Sequence, residues 1–200
     1  MKLILASQSP RRRELLTLLG LDFTVITSDV EERPPECAAV SDYVKALALQ
    51  KAQAVAASHP EDCVIGADTV VYLDGDILGK PHTPQRAKQY LLRMQGRRHT
   101  VYTGLAVLAG GRVDLRCEAT DVTFAPMTEA EIDWYVSTGE PLDKAGAYGV
   151  QGPGGVFVAR IEGNYFNVIG LPLPLLYRML KDAGALEGGL LPRSGPGRPA

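Results

Sequence analysis

Apolar and polar positions divide the chain into short stretches of two kinds, strand-like runs and helical stripes. The first run, in MKLILA, is apolar over residues 3–6, as expected of a strand buried on both faces. Ser9 and Pro10 follow as a hydroxyl cap and a proline at the first helical position, which predicts a helix over 10–19 closed by Gly20. DFTVIT at 22–27 returns to strand character, and an acidic turn at 28–32 and a proline-rich loop lead to a helix starting near Ser41. In that helix Val44, Leu47, Ala48 and Val55 share one stripe. CVIGADTVVYL at 63–73 is a long strand rich in β-branched residues, and Asp74-Gly75 after it is a hairpin turn.

Thr83-Pro84 opens a further helix that ends at Gly96. Strands are expected at 99–108 and near 113–124, joined by a Gly110-Gly111 turn. Thr128 and Glu131 form a capping box, so 129–138 is read as a helix closed by Gly139. From 139 to 172 the chain is glycine-rich and reads as loop, interrupted by a strand at 155–161. A last helix is expected at 174–183, and EGGLLPRSGPGRPA from 187 onward has the composition of a disordered tail. No internal repeat is visible.

Two hundred residues, 46% of them hydrophobic, suffice for one substantial core or for two small lobes sharing a cleft. A formal net charge of −2 argues against a general nucleic-acid binder or a polybasic membrane protein, so the arginine run at 11–13 is a local feature. Cys37, Cys63 and Cys117 have neither metal-ligand spacing nor the pattern of a disulfide framework, which fits a reducing cytosol. The sequence shows no signal peptide, and its apolar runs fall short of the roughly 18 residues a membrane span needs. A soluble cytoplasmic protein is the expectation. Motifs of the types GxxxxGK[ST], GxGxxG, HExxH and GxSxG are missing, and His59, His82 and His99 are scattered, which disfavours a P-loop kinase, a zinc hydrolase and a serine esterase.

Four places break the local rules, and such violations tend to mark functional sites. Arg11, Arg12 and Arg13 crowd the first turn of a helix, where the dipole disfavours each cation by roughly 0.3–1 kcal/mol. A phosphate bound at the helix N-terminus reverses that sign, and Ser7 and Ser9 add hydroxyls; the alternative is a solvated arginine run. Asp68 sits in the middle of an apolar strand, a costly position unless the carboxylate is paired or ligated; the alternative is an edge residue facing solvent. Lys51 falls on the apolar stripe of its helix, where it needs an anionic partner or else snorkels to water. Glu31 after a strand, and Lys80 in LGKP, complete a set of carboxylates for a hard cation and ammonium groups for phosphate oxygens.

The motifs LASQSPRRRELL, VEE at 30–32, QKAQAVA, GADTVV, LGKP, DKAGAYGVQG and NYFNVIGLP, collinear from about residue 3 to 181, resemble the Maf family of nucleoside triphosphate pyrophosphatases. The resemblance implies an α/β fold with an elongated mixed β-sheet flanked by helices, two lobes around a central cleft within residues 1–186, and a homodimer. It implies metal-dependent cleavage between the α- and β-phosphates, with Mg²⁺ the first expectation and Mn²⁺ or Co²⁺ the alternatives. Carried over by position, Asp68 corresponds to the family's proton acceptor. Ser7, Arg12, Glu31, Lys51 and Lys80 correspond to the polar lining of the phosphate and metal site, with Glu31 and Asp68 holding the metal. Arg11, Thr69 and Gln151 fall where base selectivity is decided, and DKAGAYGVQG resembles the branch acting on dTTP and UTP. A glutamine amide suits a pyrimidine because it donates to a ring carbonyl and accepts from N3–H.

On this reading Asp68 orients or deprotonates the attacking water, directly or through the metal, while Arg12, Lys51, Lys80 and the helix N-terminus stabilise the departing pyrophosphate. The arginines then sit at the wrong end of their helix because a triphosphate completes it. Modified pyrimidine nucleotides are a further substrate class on the same reading. The rival is a non-catalytic nucleotide-sensing or partner-binding protein, since the family is linked by name to septum formation in cell division. A sensor would need the phosphate cradle but not Asp68.

Overall fold

The computed structural model describes residues 1–27 and 39–186. The predicted acidic turn with Glu31, the proline-rich loop after it and the tail from 187 lie outside the described residues. The elements follow in the order β1 (Leu3–Leu5), α1 (Pro10–Thr17), β2 (Thr24–Val25), α2 (Val40–Ala56), β3 (Cys63–Leu73), β4 (Asp76–Leu78), α3 (Pro84–Met94), β5 (Arg98–Ala109), β6 (Arg112–Phe124), α4 (Glu129–Ser137), β7 (Val158–Glu162), α5 (Tyr165–Ile169) and α6 (Leu173–Asp182). The caps anticipated from sequence are present. Ser9 accepts from the Arg12 backbone N–H, Thr83 from that of Arg86, and Thr128 and Glu131 close a reciprocal capping box.

The strands form one mixed sheet in the order β2-β1-β3-β5-β6-β7, with β4 also paired to β3. β1 runs parallel to β2 and β3, while β3–β5, β5–β6 and β6–β7 are antiparallel. The long strands β3 and β5 run from one core to a second, and β6 joins only the second. At one end, Leu5, Ile65, Leu105 and Val107 pack under α1 and α6 through Leu15, Leu16, Leu176 and Met179. The other face of that end carries small residues, Ala6, Val64 and Ala106, against Ala48 and Ala52 of α2. At the far end, Val71, Leu78, Val101, Val122 and Phe124 pack with Leu91 and Met94 of α3 and Ile132 and Tyr135 of α4.

Between 139 and 172 the chain is more structured than a loop reading expects. Three 3₁₀ turns (Glu140–Asp143, Ala145–Ala147 and Pro153–Phe157) precede β7, and α5 follows it. The strand expected at 155–161 begins only at Val158, because Gly154 and Gly155 belong to the preceding turn.

Candidate active site

The sheet is split where the site lies. One edge of β3 pairs with β5 over residues 64–72 without a break. The opposite edge is shared: β1 takes Cys63 to Ile65, and β4 takes Val71 to Leu73. Residues 66–70 therefore have no strand partner on that edge among the described residues, and Asp68 and Thr69 stand in the gap. Successive strand residues point to opposite faces, so the two neighbours meet different helices.

Asp68 faces α2. Lys51 Nζ donates to Asp68 Oδ1 at 2.6 Å, and the two side chains are 20% and 11% exposed. The cation on an apolar stripe and the carboxylate inside an apolar strand are thus partners, as each required. The contact depends on how closely α2 lies on the sheet. Gly104 is directly opposite Asp68 across the β3–β5 ladder, and Gly66 precedes Asp68 on the same face. A Cβ on Gly104 would lie 2.4 Å from Val44 C and O, and one on Gly66 would lie 2.2 Å from the Ala48 carbonyl oxygen. Neither glycine has a positive φ, so their value here is the absence of a side chain.

Thr69 faces α1, where Arg12 gathers the local polar groups. Arg12 donates from Nε to the Gly170 carbonyl at 2.9 Å, from a terminal nitrogen to Thr69 Oγ1 at 3.0 Å, and from the other to Ser7 Oγ at 3.3 Å. Thr69 Oγ1 is also 2.9 Å from Thr103 Oγ1, and Thr103 donates to the Asn167 carbonyl. Arg12 is therefore fixed by β3, α5 and the β1–α1 turn together. Ser7 is buried behind it and also accepts the Ser9 N–H, so Ser9 rather than Ser7 lines the cleft. Arg11 turns into the cleft as well, 3.9 Å from Asp143, whereas Arg13 is exposed.

These groups line a cleft of about 690 Å³ between the two cores. Its floor holds Lys51, Asp68 and Thr69, one wall holds Ser9, Arg11 and Arg12, and Lys80 and Gln151, both expected from sequence, line it together with Gly170. Lys80 and Gln151 are exposed at the rim. The Lys80 loop is anchored next to the second core, because Gly79 O accepts the Gly146 N–H and His82 N–H donates to Leu142 O. Glu31 lies outside the described residues.

Sequence reasoning missed part of the far wall: His82, Glu140, Asp143, Lys144 and Tyr148. Burial works to raise the Asp143 carboxyl, but the Lys144 hydrogen bond and the charges of Lys144 and Arg11 outweigh it and hold Asp143 below the usual range. Tyr148 is buried beneath the cleft, with its hydroxyl 2.9 Å from His99 Nε2 and its ring edge-on to His99 and Phe124. Burial lowers the His99 imidazole to about 4. This is a neutral structural histidine under the cleft floor. Asp143, Lys144 and Tyr148 stand in the motif DKAGAYGVQG, which pointed to the segment without giving them a role, and the density of glycines from 146 to 155 is a further hint that side chains press on that backbone.

A sequence profile for the family described as Maf-like protein matches residues 2–183. A dTTP/UTP pyrophosphatase of Bacillus cytotoxicus is 51% identical over 186 residues, covering 92% of this chain and 97% of that protein. One from Bacillus cereus strain AH820, of the same description, is 51% identical over 90% of this chain and 95% of its own. Among solved structures, the Ham1 protein of Staphylococcus aureus superposes with a TM-score of 0.55 at 13% identity, over 91% of this chain and 99% of that one. The HAM1 protein of Coxiella burnetii gives 0.53 at 15% identity, over 92% and 100%. At such identities these two similarities establish a shared fold, the mixed α/β architecture described above.

Proposed function

The chain belongs to the Maf family, and from that premise we propose that it is a pyrophosphatase that hydrolyses dTTP and UTP, and modified pyrimidine nucleotides of like shape, to the nucleoside monophosphate and pyrophosphate. The observation that most supports catalysis over nucleotide sensing is the Lys51–Asp68 contact of 2.6 Å beside Arg12, in one cleft. Phosphate binding alone would be served by the cations and the helix N-terminus. A buried carboxylate placed among them repels phosphate, and its retention there is explained by work on a proton.

In the proposed reaction the triphosphate lies across the α1 N-terminus, against Arg12, Lys51 and Lys80. These groups neutralise the equatorial oxygens and the charge that develops on pyrophosphate as the bridging oxygen leaves. Asp68 orients the attacking water and takes its proton, and the Lys51 hydrogen bond fixes where the carboxylate points. Thr69 and Gly170 hold the Arg12 guanidinium in place beside the cleft, so little reorganisation is needed when substrate arrives. Gln151, with Arg11 and Thr69, selects the pyrimidine.

A divalent cation fits this donor set. Among the described residues no three His, Cys, Asp or Glu side chains stand close enough to cage a metal. Mg²⁺ is ordinarily bound by one or two carboxylates completed by substrate phosphates and waters; Asp68 would be one such hard oxygen ligand, and Glu31, outside the described residues, is the second that the family resemblance implies. When bound, the cation supplies polarisation of the α-phosphate; Mn²⁺ or Co²⁺ would serve the same donors. No helix among the described residues is long and apolar enough to cross a membrane. The family resemblance and the cysteine usage support our placing of the enzyme in the cytoplasm as a homodimer acting on free nucleotides.

The test is a turnover screen of purified protein with Mg²⁺ against each common triphosphate, with pyrophosphate and orthophosphate measured separately. Pyrophosphate from dTTP and UTP is the expected product. Tight nucleotide binding without turnover would leave the sensor reading in its place.

A further inference from the structure

The segment that carries Gln151 contains Gly149, Gly152, Gly154 and Gly155, and none of these four has a positive φ. Turn geometry does not call for glycine there. Space does. A Cβ on Gly152 would lie 1.9 Å from Glu140 Oε1, and one on Gly149 would lie 3.1 Å from the same oxygen and 2.8 Å from Lys144 Cε. A Cβ on Gly154 would lie 2.3 Å from the Tyr135 hydroxyl. Two side chains from α4 and the turn after it therefore push into the concave side of this segment, and they bond to its backbone. The Gly154 N–H donates to Glu140 Oε2 at 3.1 Å, and the Gly149 N–H donates to Tyr135 Oη at 3.1 Å. Glu140 is itself fixed, because Lys144 Nζ donates to its carbonyl at 2.8 Å and Gly139 sets the turn with φ +75°. Tyr135 has no exposed surface; burial, then the neighbouring Glu140 carboxylate, keeps its hydroxyl protonated.

We infer that Glu140 is the positioning residue of the base-selecting segment: its carboxylate is the template around which residues 149–154 fold, so discrimination by Gln151 depends on a side chain that need not touch the base. The inference rests on the reading above that Gln151 selects a pyrimidine. Physically, a glycine-rich segment outside α-helix and strand has many conformations of similar energy. A charged acceptor inside the bend favours the one in which the Gly154 N–H is satisfied. Without it, the Gln151 amide samples a range of positions, and a displacement near 1 Å is enough to weaken recognition by about a hundredfold.

Four full-length variants test this: Glu140→Ala, Glu140→Gln, Gly152→Ala, and Glu140→Ala with Gly152→Ala. The readouts are KM and kcat for UTP and for GTP, and amide hydrogen exchange over 149–154. Glu140→Ala is expected to reduce the UTP over GTP preference by about tenfold or more, mainly through KM for UTP, and to deprotect the Gly154 amide. Glu140→Gln keeps an acceptor and should stay within about threefold of wild type, a rescue that loss of general packing does not give. Gly152→Ala should reproduce Glu140→Ala, and the double variant should be no worse than either single one, because both act on one contact. If Glu140→Ala does not fold, Gly152→Ala and Glu140→Gln decide. Unchanged preference and unchanged exchange in Gly152→Ala overturn the inference. A wild type with no pyrimidine preference defeats the functional reading instead, and the exchange data still report on the template.

Discussion

Replacing Gly104 by alanine should uncouple Lys51 from Asp68 without touching either residue. The new Cβ would sit 2.4 Å from Val44 C and O and 2.6 Å from Lys45 N, where ordinary contact begins at 3.4 Å. The shortfall is about 1 Å, and the opposing atoms are helix backbone, which cannot rotate away. α2 must lift or tilt at that point, and the Lys51 ammonium, 2.6 Å from Asp68 in the native structure, moves out of hydrogen-bond range. Overpacking of this kind costs about 1–3 kcal/mol. In a chain of this size each kcal/mol corresponds to roughly 2–4 °C in Tm. A catalytic contact misplaced by about 1 Å loses on the order of a hundredfold in rate. The assays are a thermal melt and pyrophosphate release from UTP on the same preparation. Activity should fall far more than the change in folded fraction explains, and Gly66→Ala, 2.2 Å from the Ala48 carbonyl, should behave alike. Wild-type Tm and turnover in Gly104→Ala would refute the claim that close approach of α2 sets the ion pair.

Three further outcomes are expected. Arg12→Lys keeps the charge but loses the fork that reaches Ser7, Thr69 and Gly170, so kcat/KM for UTP should drop about 10–100-fold with little change in Tm; parity with wild type would show that charge alone suffices. Burial lowers His99 to about 4, whereas in the unfolded chain it titrates near ~6.5, so its contribution is intact above ~6.5 and is lost as pH falls toward 4, by about 3 kcal/mol in all; melts between pH 7 and 4.5 should show the decline, and His99→Gln should flatten it. Thr128→Ala removes the capping box of α4 and should cost about 1 kcal/mol in denaturant melts while leaving turnover unchanged, and a much larger loss would show that the cap holds more than its helix.

The parts of this site that were legible in the sequence are those where a residue contradicts its own element. Lys51 on an apolar stripe and Asp68 in an apolar strand each demanded a partner, and α2 and β3 bring them together. Three arginines in a first turn pointed either to an anion or to a solvated run; Arg11 and Arg12 line the cleft and Arg13 is exposed. Arrangements that depend on distant chain were not legible. The anchoring of Arg12 on Gly170 spans 158 positions. The gap at 66–70 arises only because β1 and β4 are each three residues long and share one edge of β3. The stretch 139–172 lacks a hydrophobic period because it is built of 3₁₀ turns and a five-residue helix, too short to show one. Glu140 was invisible for a related reason: an acidic residue after a helix looks like solvated surface until the glycines opposite it are seen to make room.

In the proposed mechanism the cleft directs water to the α-phosphate with Asp68 as the proton acceptor. Single-turnover hydrolysis of UTP in ¹⁸O-labelled water, followed by mass spectrometry of both products, tests it most directly, with Asp68→Asn run alongside and its UTP binding measured by calorimetry. Label in the monophosphate and none in pyrophosphate, together with an Asp68→Asn protein that binds UTP but does not turn it over, is the predicted result. Label in pyrophosphate, or undiminished turnover by Asp68→Asn, would contradict the account.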